Sequence, residues 1–212
     1  MPRPRTLTPI EIRILGSLLE KQQTTPDTYP LTLNALMLAC NQRTSREPMT
    51  DYSEGELTRA LDRLQESRLV WKVFSGRTAK YEQNAADALT LEPEERAVMT
   101  LLMLRGAQTA GELRTRADRL HTFESVAAVE SVLRGLTKGE EPLVVELPRQ
   151  AGQKENGWMH LLAGDVEIDA QPTAPVPPSA PRHDLEGRVA RLEDGLERLT
   201  EELEKLRRDL GS

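Results

Sequence analysis

Apolar residues recur along this chain with two alternating periods, one near 3.6 and one near 2, and the alternation happens twice. Ile10, Ile14, Leu15, Leu18 and Leu19 form one stripe at helical spacing. Thr8 stands at its N-cap and Pro9 at the first helical position, where a missing N–H costs nothing. Residues 22–27 break the pattern, and Tyr29-Pro30-Leu31 predicts the start of a second helix carrying Leu33, Leu36, Met37 and Cys40. After a polar stretch over 41–51, Ser53 caps a third helix with an acidic first turn and leucines at 57, 61 and 64. Residues 69–74 and 79–82 are then short β-forming runs flanking Ser75-Gly76-Arg77-Thr78, which reads as a β-hairpin.

The plan then repeats. Thr90-Leu91-Glu92-Pro93 echoes Thr6-Leu7-Thr8-Pro9, and Ala97, Val98, Leu101, Leu102 and Leu104 supply the apolar face of a helix. Thr109 caps a second helix reaching about residue 120, and a third spans about 124–138 with Val126, Val129, Val132, Leu133 and Leu136. Leu143-Val144-Val145-Glu146-Leu147 matches Leu69-Val70-Trp71-Lys72-Val73, with Trp158-Met159-His160-Leu161-Leu162 as its return strand. A rival register would align Gly55-Glu56-Leu57 with Gly111-Glu112-Leu113, setting a third helix on a second and misaligning both hairpins. It is rejected. Three helices followed by a hairpin is the layout of a winged helix, in which the third helix usually enters a DNA groove. The expected architecture is mainly α with small β-hairpins (α+β): winged-helix domains over 1–88 and 89–164, then a further segment.

That segment changes character. Residues 165–183 form a linker with prolines at 172, 175, 177, 178 and 181. Over 184–210, Leu185, Val189, Leu192, Leu196, Leu199, Leu203, Leu206 and Leu210 alternate in steps of four and three. This is the a/d seam of a dimerising coiled coil.

Charge adds to the picture by its distribution. Lys+Arg against Asp+Glu is 12 to 11 over 1–88, 9 to 11 over 89–164 and 7 to 12 over 165–212. The net charges are therefore +1, -2 and -5, together the -6 of the whole chain. A phosphate-binding surface is expected in the first repeat. One cysteine excludes an internal disulfide framework and a multi-cysteine zinc site. No apolar run approaches the ~20 residues of a membrane span. Met1-Pro2-Arg3-Pro4-Arg5 lacks a signal peptide's apolar stretch, so a cytoplasmic location is expected.

The candidate nucleic-acid contacts are Arg43 and Arg46 before the third helix, Arg59 and Arg63 on it, and Lys72, Arg77 and Lys80 on the hairpin. They would track a phosphate backbone, with Arg59 or Arg63 reading base edges. The competing reading is a solvated helix face, because Glu56, Asp62 and Glu66 are interleaved with the arginines. Trp71, Phe74 and Tyr81 have a stacking role open to them. In a chain with two Trp, three Tyr and two Phe, the expectation is that they fill the core. Residues 22–30 read as a turn satisfied by local side chains, with a pocket as the alternative. Cys40 reads as a buried thiol and His160 as a structural strand residue. His121, His160 and His183 show no ligand spacing, and no nucleophile elbow or phosphate loop exists. No catalytic residue, metal or cofactor is expected.

Leu19-Glu20-Lys21-Gln22, Thr25-Pro26-Asp27, Tyr29-Pro30-Leu31, Asn34 and the run from Cys40 to Pro48 resemble the YceH-like family of bacterial proteins. So do Leu104-Arg105-Gly106-Ala107-Gln108-Thr109, Gly111-Glu112-Leu113-Arg114 and Met159-His160-Leu161. The resemblance implies a pair of winged-helix domains and no reaction, ligand or active site. The function expected is DNA-binding or transcription-related regulation by a dimer on double-stranded DNA. The alternative is a non-enzymatic adaptor whose winged helices bind a protein partner.

The heptads also predict strand direction. Arg188 and Glu202 occupy g positions, and Glu193 and Arg207 occupy e positions. In a parallel pair Arg188 meets Glu193 and Glu202 meets Arg207, both attractive, although each exposed pair is worth only ~0.5 kcal/mol. The leucine seam supplies most of the stability. Light scattering should find a dimer for the full chain at micromolar concentration and a monomer after truncation to residues 1–170. A full-length monomer would remove the zipper, and a truncated dimer would move the interface into the first 170 residues.

Overall fold

Thr8 begins the fold with a reciprocal cap: its backbone N–H donates to the Glu11 carboxylate at 2.8 Å, which starts helix α1 (Pro9–Thr24). Every residue of α1 from Glu11 to Leu19 is buried, including the polar Glu11, Arg13 and Ser17. This burial extends beyond the apolar stripe read from the sequence. It arises because α1 has partners on two sides. Helices α2 (Leu33–Cys40) and α3 (Glu54–Glu66) pack against it from the first repeat, and α5 (Pro93–Arg105) packs against it from the second. The α1–α5 crossing is close at Gly16, where an added Cβ would lie 2.9 Å from Leu104 Cδ2 and 3.1 Å from Met103 Cβ. Glycine is what permits that approach.

The computed structural model describes residues 6–149 and 155–164, which belong to one compact unit. The linker and the heptad residues Leu185, Val189, Leu192, Leu196, Leu199, Leu203, Leu206 and Leu210 lie outside the described residues. Residues 22–24 continue α1, so the turn expected over 22–30 is confined to residues 25–30. A 3-10 turn (Pro26–Thr28) closes as Thr28 N–H donates to Thr25 O and Tyr29 N–H to Pro26 O. The second helix starts later than its sequence suggests, because Leu31–Thr32 is a short strand, β1. Leu31 is drawn into the sheet and buried, and Thr32 then caps α2 by accepting from Ala35 N–H at 3.2 Å. Helix α3 has the Ser53–Glu56 capping box and buries Leu57, Leu61 and Leu64.

Strands β2 (Val70–Ser75) and β3 (Thr78–Gln83) pair in register from Val70↔Gln83 to Ser75↔Thr78. Gly76, at φ +63°, takes the left-handed corner of the two-residue turn. β1 adds to the other edge of β3 through Leu31↔Tyr81, so the hairpin belongs to a three-stranded antiparallel sheet of order β1-β3-β2. A short helix α4 (Ala85–Ala88) leads into α5.

The second repeat follows the same order. β4 (Gln108–Thr109) precedes α6 (Ala110–Ala117), capped by Thr109 and ending short of residue 120. Helix α7 (Val126–Leu136) is capped by Ser125. Strands β5 (Val144–Leu147) and β6 (Gly157–His160) complete a sheet of order β4-β6-β5. Gly55 lies on α3 and Gly111 on α6, so they are not equivalent positions, in keeping with the register chosen from the sequence. The fold is thus α+β, with one helix–sheet plan used twice.

The two repeats share a continuous hydrophobic core, running from Ile14, Leu18, Leu61 and Leu64 through Met99 and Leu102 to Leu133 and Trp158. Backbone bonds reinforce the join. Leu7 N–H donates to Leu162 O at 2.8 Å, and Glu47 N–H to Leu104 O at 2.9 Å. Replacing Gly16 by Val forces a branched side chain into the α1–α5 crossing and should lower stability by about 2–3 kcal/mol. A melting temperature equal to the parent's would show that the crossing tolerates the added bulk.

Candidate nucleic-acid interface

The seven cations singled out in the sequence separate into two groups. Arg46 is not a surface residue, and its selection as a phosphate contact is corrected here. Its side chain is fully buried, and its guanidinium grips Glu20 with contacts of 2.6 and 3.1 Å while Nε donates to Ala39 O at 3.0 Å. Arg13 does parallel work beside it, donating through Nη2 to Pro48 O at 2.7 Å and through Nη1 to Cys40 O at 3.2 Å. Burial, and then the positive charge of Arg46, hold the Arg13 guanidinium below its ordinary pKa. The two arginines therefore fasten the polar loop over 41–50 to the carbonyl end of α2, where a helix favours cations.

Arg63 is likewise engaged: Nε donates to Glu11 Oε1 at 2.8 Å, and Glu11 is wholly buried. It balances a buried carboxylate across the α1–α3 contact, while its side chain remains 41% exposed. Arg59 is exposed on α3, but the exposed residues of that helix also include Glu54, Glu56, Asp62 and Glu66. Ser53, donating side-chain and backbone hydrogen bonds, holds the Glu56 carboxyl below its usual range, so it stays ionised. The exposed part of α3 is acidic.

The hairpin differs. Lys72 and Arg77 are exposed and Lys80 half-buried, against one acid, Glu82. Arg43 is exposed in the loop before α3. The described residues of the second hairpin carry Glu146 and Glu155 against Arg149. Among the described residues, the free basic surface expected for the first repeat thus centres on β2–β3.

The aromatic residues overturn the expectation that all three fill the core. Tyr81 is 6% exposed and belongs to it, but Trp71 is 41% and Phe74 68% exposed. Strand alternation explains the division. Val70, Lys72 and Phe74 share a face with Tyr81, and that face is covered only near the base of the hairpin. Trp71 stands on the opposite face, paired with Glu82. Tyr29 anchors the sheet by accepting Gln83 N–H at 2.6 Å, and burial raises its phenol to about 12.

Cys40 is buried as expected, and desolvation pushes its thiol up to about 11, far from a reactive thiolate. His160 is buried on β6, its pKa lowered to about 4 by desolvation, so it stays neutral inside the fold. A concavity of about 810 Å³ between α5, α7 and the loop after α7 contains Glu95, Glu140 and Glu141 with Lys138. Its lining offers no histidine, serine or cysteine. No group of three or more metal-binding side chains occurs among the described residues, and none of their helices is long and apolar enough to cross a membrane.

The sequence signals missed were of two kinds. The short strands β1 and β4 each end on the threonine that caps the next helix, a repeated signature at Thr32 and Thr109. The buried partnerships of Arg46 and Arg63 have no local signal, because Glu20 and Glu11 lie 26 and 52 residues away.

Fold and surface together define a duplicated α+β protein with one basic, aromatic-bearing hairpin. The chain belongs to the family described as "Protein of unknown function, DUF480", which matches residues 7–153, consistent with the YceH-like resemblance. It is 44% identical over 219 residues to a UPF0502 protein of Burkholderia cenocepacia, covering 99% of this chain and 93% of that one. A UPF0502 protein of Burkholderia multivorans is 50% identical over 170 residues, covering 79% and 72%. One from Cellvibrio japonicus is 43% identical over 210 residues, covering 97% and 96%.

The two arginines of the loop should separate in a stability measurement. Arg46→Ala leaves Glu20 and the Ala39 carbonyl without their partner and should cost about 3–5 kcal/mol, whereas Arg43→Ala should change stability by less than about 0.5 kcal/mol. Equal denaturation midpoints for the two variants would contradict the structural role of Arg46.

Proposed function

We propose that this is a non-enzymatic, cytoplasmic, DNA-binding regulatory protein made of two winged-helix repeats and dimerised by the heptad segment over 185–210. The observation that carries the reading is the charge difference between the hairpins. The first holds Lys72, Arg77 and Lys80 against Glu82, whereas the described residues of the second hold Arg149 against Glu146 and Glu155. The arrangement of three helices and a hairpin supports the winged-helix assignment. In this reading the wing leads. The acidic face of α3 would meet phosphate with repulsion, so the hairpin contacts the backbone, with Arg43 and Arg59 as outlying contacts. Such binding is largely insensitive to sequence, because phosphate contacts position a protein without reading bases.

The adaptor reading also has an observation in its favour. Leu38 and Met49 are 65% and 70% exposed, and α3 is acidic, which suits a basic, partly apolar protein partner.

A salt series on the full chain with duplex DNA separates the two. The three hairpin cations alone predict a slope of log K against log salt of about -3. Arg77→Ala should make it shallower by about 1. Absence of binding at about 50 mM salt, where counterion release favours association, would hand the function to the adaptor reading.

A further inference from the structure

Phe74 lies where neither folding nor duplex binding needs it. It continues the face of β2 that buries Val70, yet it is 68% exposed. Its cross-strand partner is Ala79, too small to cover a phenyl ring. Lys72, two residues back on the same face, places its ammonium 5.9 Å from the ring centroid, a cation–π contact. Arg77 follows at the tip, exposed, beside Gly76 in the turn. An exposed ring is thus held with a cation over it and a second cation at the adjacent turn.

Leaving a ring in water costs free energy that a charged or polar residue at the same site would not. A duplex gives it little in return, because paired bases keep their faces stacked on one another. Unpaired bases offer a free π-face for the ring and phosphates for the lysine and arginine, the combination by which single-stranded nucleic acid is held. We infer that the β2–β3 hairpin is a stacking platform for unpaired bases, with Phe74 as the stacking surface and Lys72 and Arg77 as its phosphate contacts. This rests on the nucleic-acid reading above and deepens it: the preferred ligand is a single strand or an opened stretch of duplex. Trp71, on the opposite face, offers a second aromatic surface to a strand passing round the hairpin.

The test is fluorescence anisotropy with the full chain and three labelled probes of equal length: a 20-nucleotide oligo-dT, a 20-nucleotide oligo-rU and a 20-base-pair duplex. The parent should bind oligo-dT at least about fivefold more tightly than duplex, the low end of what one stacked base contributes. Comparable binding of oligo-rU would identify unpaired bases in general as the ligand, and weaker binding would restrict it to DNA. Phe74→Leu, which keeps an apolar side chain but removes the π-face, should weaken oligo-dT by about fivefold or more and leave duplex within about twofold. Phe74→Trp should keep or strengthen single-strand binding. Arg77→Ala should weaken single strand and duplex together. Because Phe74 is largely exposed, both Phe74 variants should melt with the parent, and a circular dichroism melt checks it. Equal affinity of the parent for single strand and duplex, or a Phe74→Leu variant that binds oligo-dT like the parent, overturns the stacking inference and leaves backbone binding standing. No binding of the parent to any probe overturns both.

Discussion

The close crossing of α1 and α5 at Gly16 is the constraint on which the rest of this structure depends. Each helix opens its own repeat, and each would be a half-exposed element if its repeat stood alone. Brought together, they cover one another and become buried along most of their length. The approach needs a residue without a side chain at one point, because Leu104 and Met103 already occupy the space beside Gly16. With the helices in place, α2 and α3 close over α1, and α6 and α7 pack on α5. The two sheets then follow at the edges.

Burying α1 on all sides leaves its polar residues in the interior, and their partners determine which cations remain for function. Glu11 takes Arg63, Arg13 takes the carbonyls at the end of α2, and Glu20 takes Arg46. A buried ion pair is a weak source of net stability but a costly one to break. Its consequence here is selective. Arg46, which a linear reading assigns to phosphate, is withdrawn into the fold, Arg63 is tied to a buried carboxylate while staying partly exposed, and much of the exposed basic character lies on the hairpin.

Much of the fold was legible because local signals agreed with one another. Thr8-Pro9, Ser53 and Thr109 mark helix starts through chemistry contained within a few residues, and Ser75-Gly76-Arg77-Thr78 marks a turn in the same way. The duplication was legible because both repeats carry those signals in the same order. What escaped depends on contacts distant in sequence. The isolated pattern of α1 cannot reveal that a second helix covers its polar side. Arg46 and Arg43 stand three residues apart in one polar loop, and only the position of Glu20 distinguishes an internal staple from an exposed charge. Phe74 fits the alternation of a buried strand face, and its exposure follows from the hairpin extending beyond the layer it packs on.

The shared core also bears on how the two repeats live together. A repeat that buries its leading helix against its twin cannot shed that twin without uncovering leucine, methionine and isoleucine to water. The pair therefore behaves as one cooperative unit of melting and of degradation, and a lesion in either repeat is felt by both. The second repeat is the wall against which the first one folds.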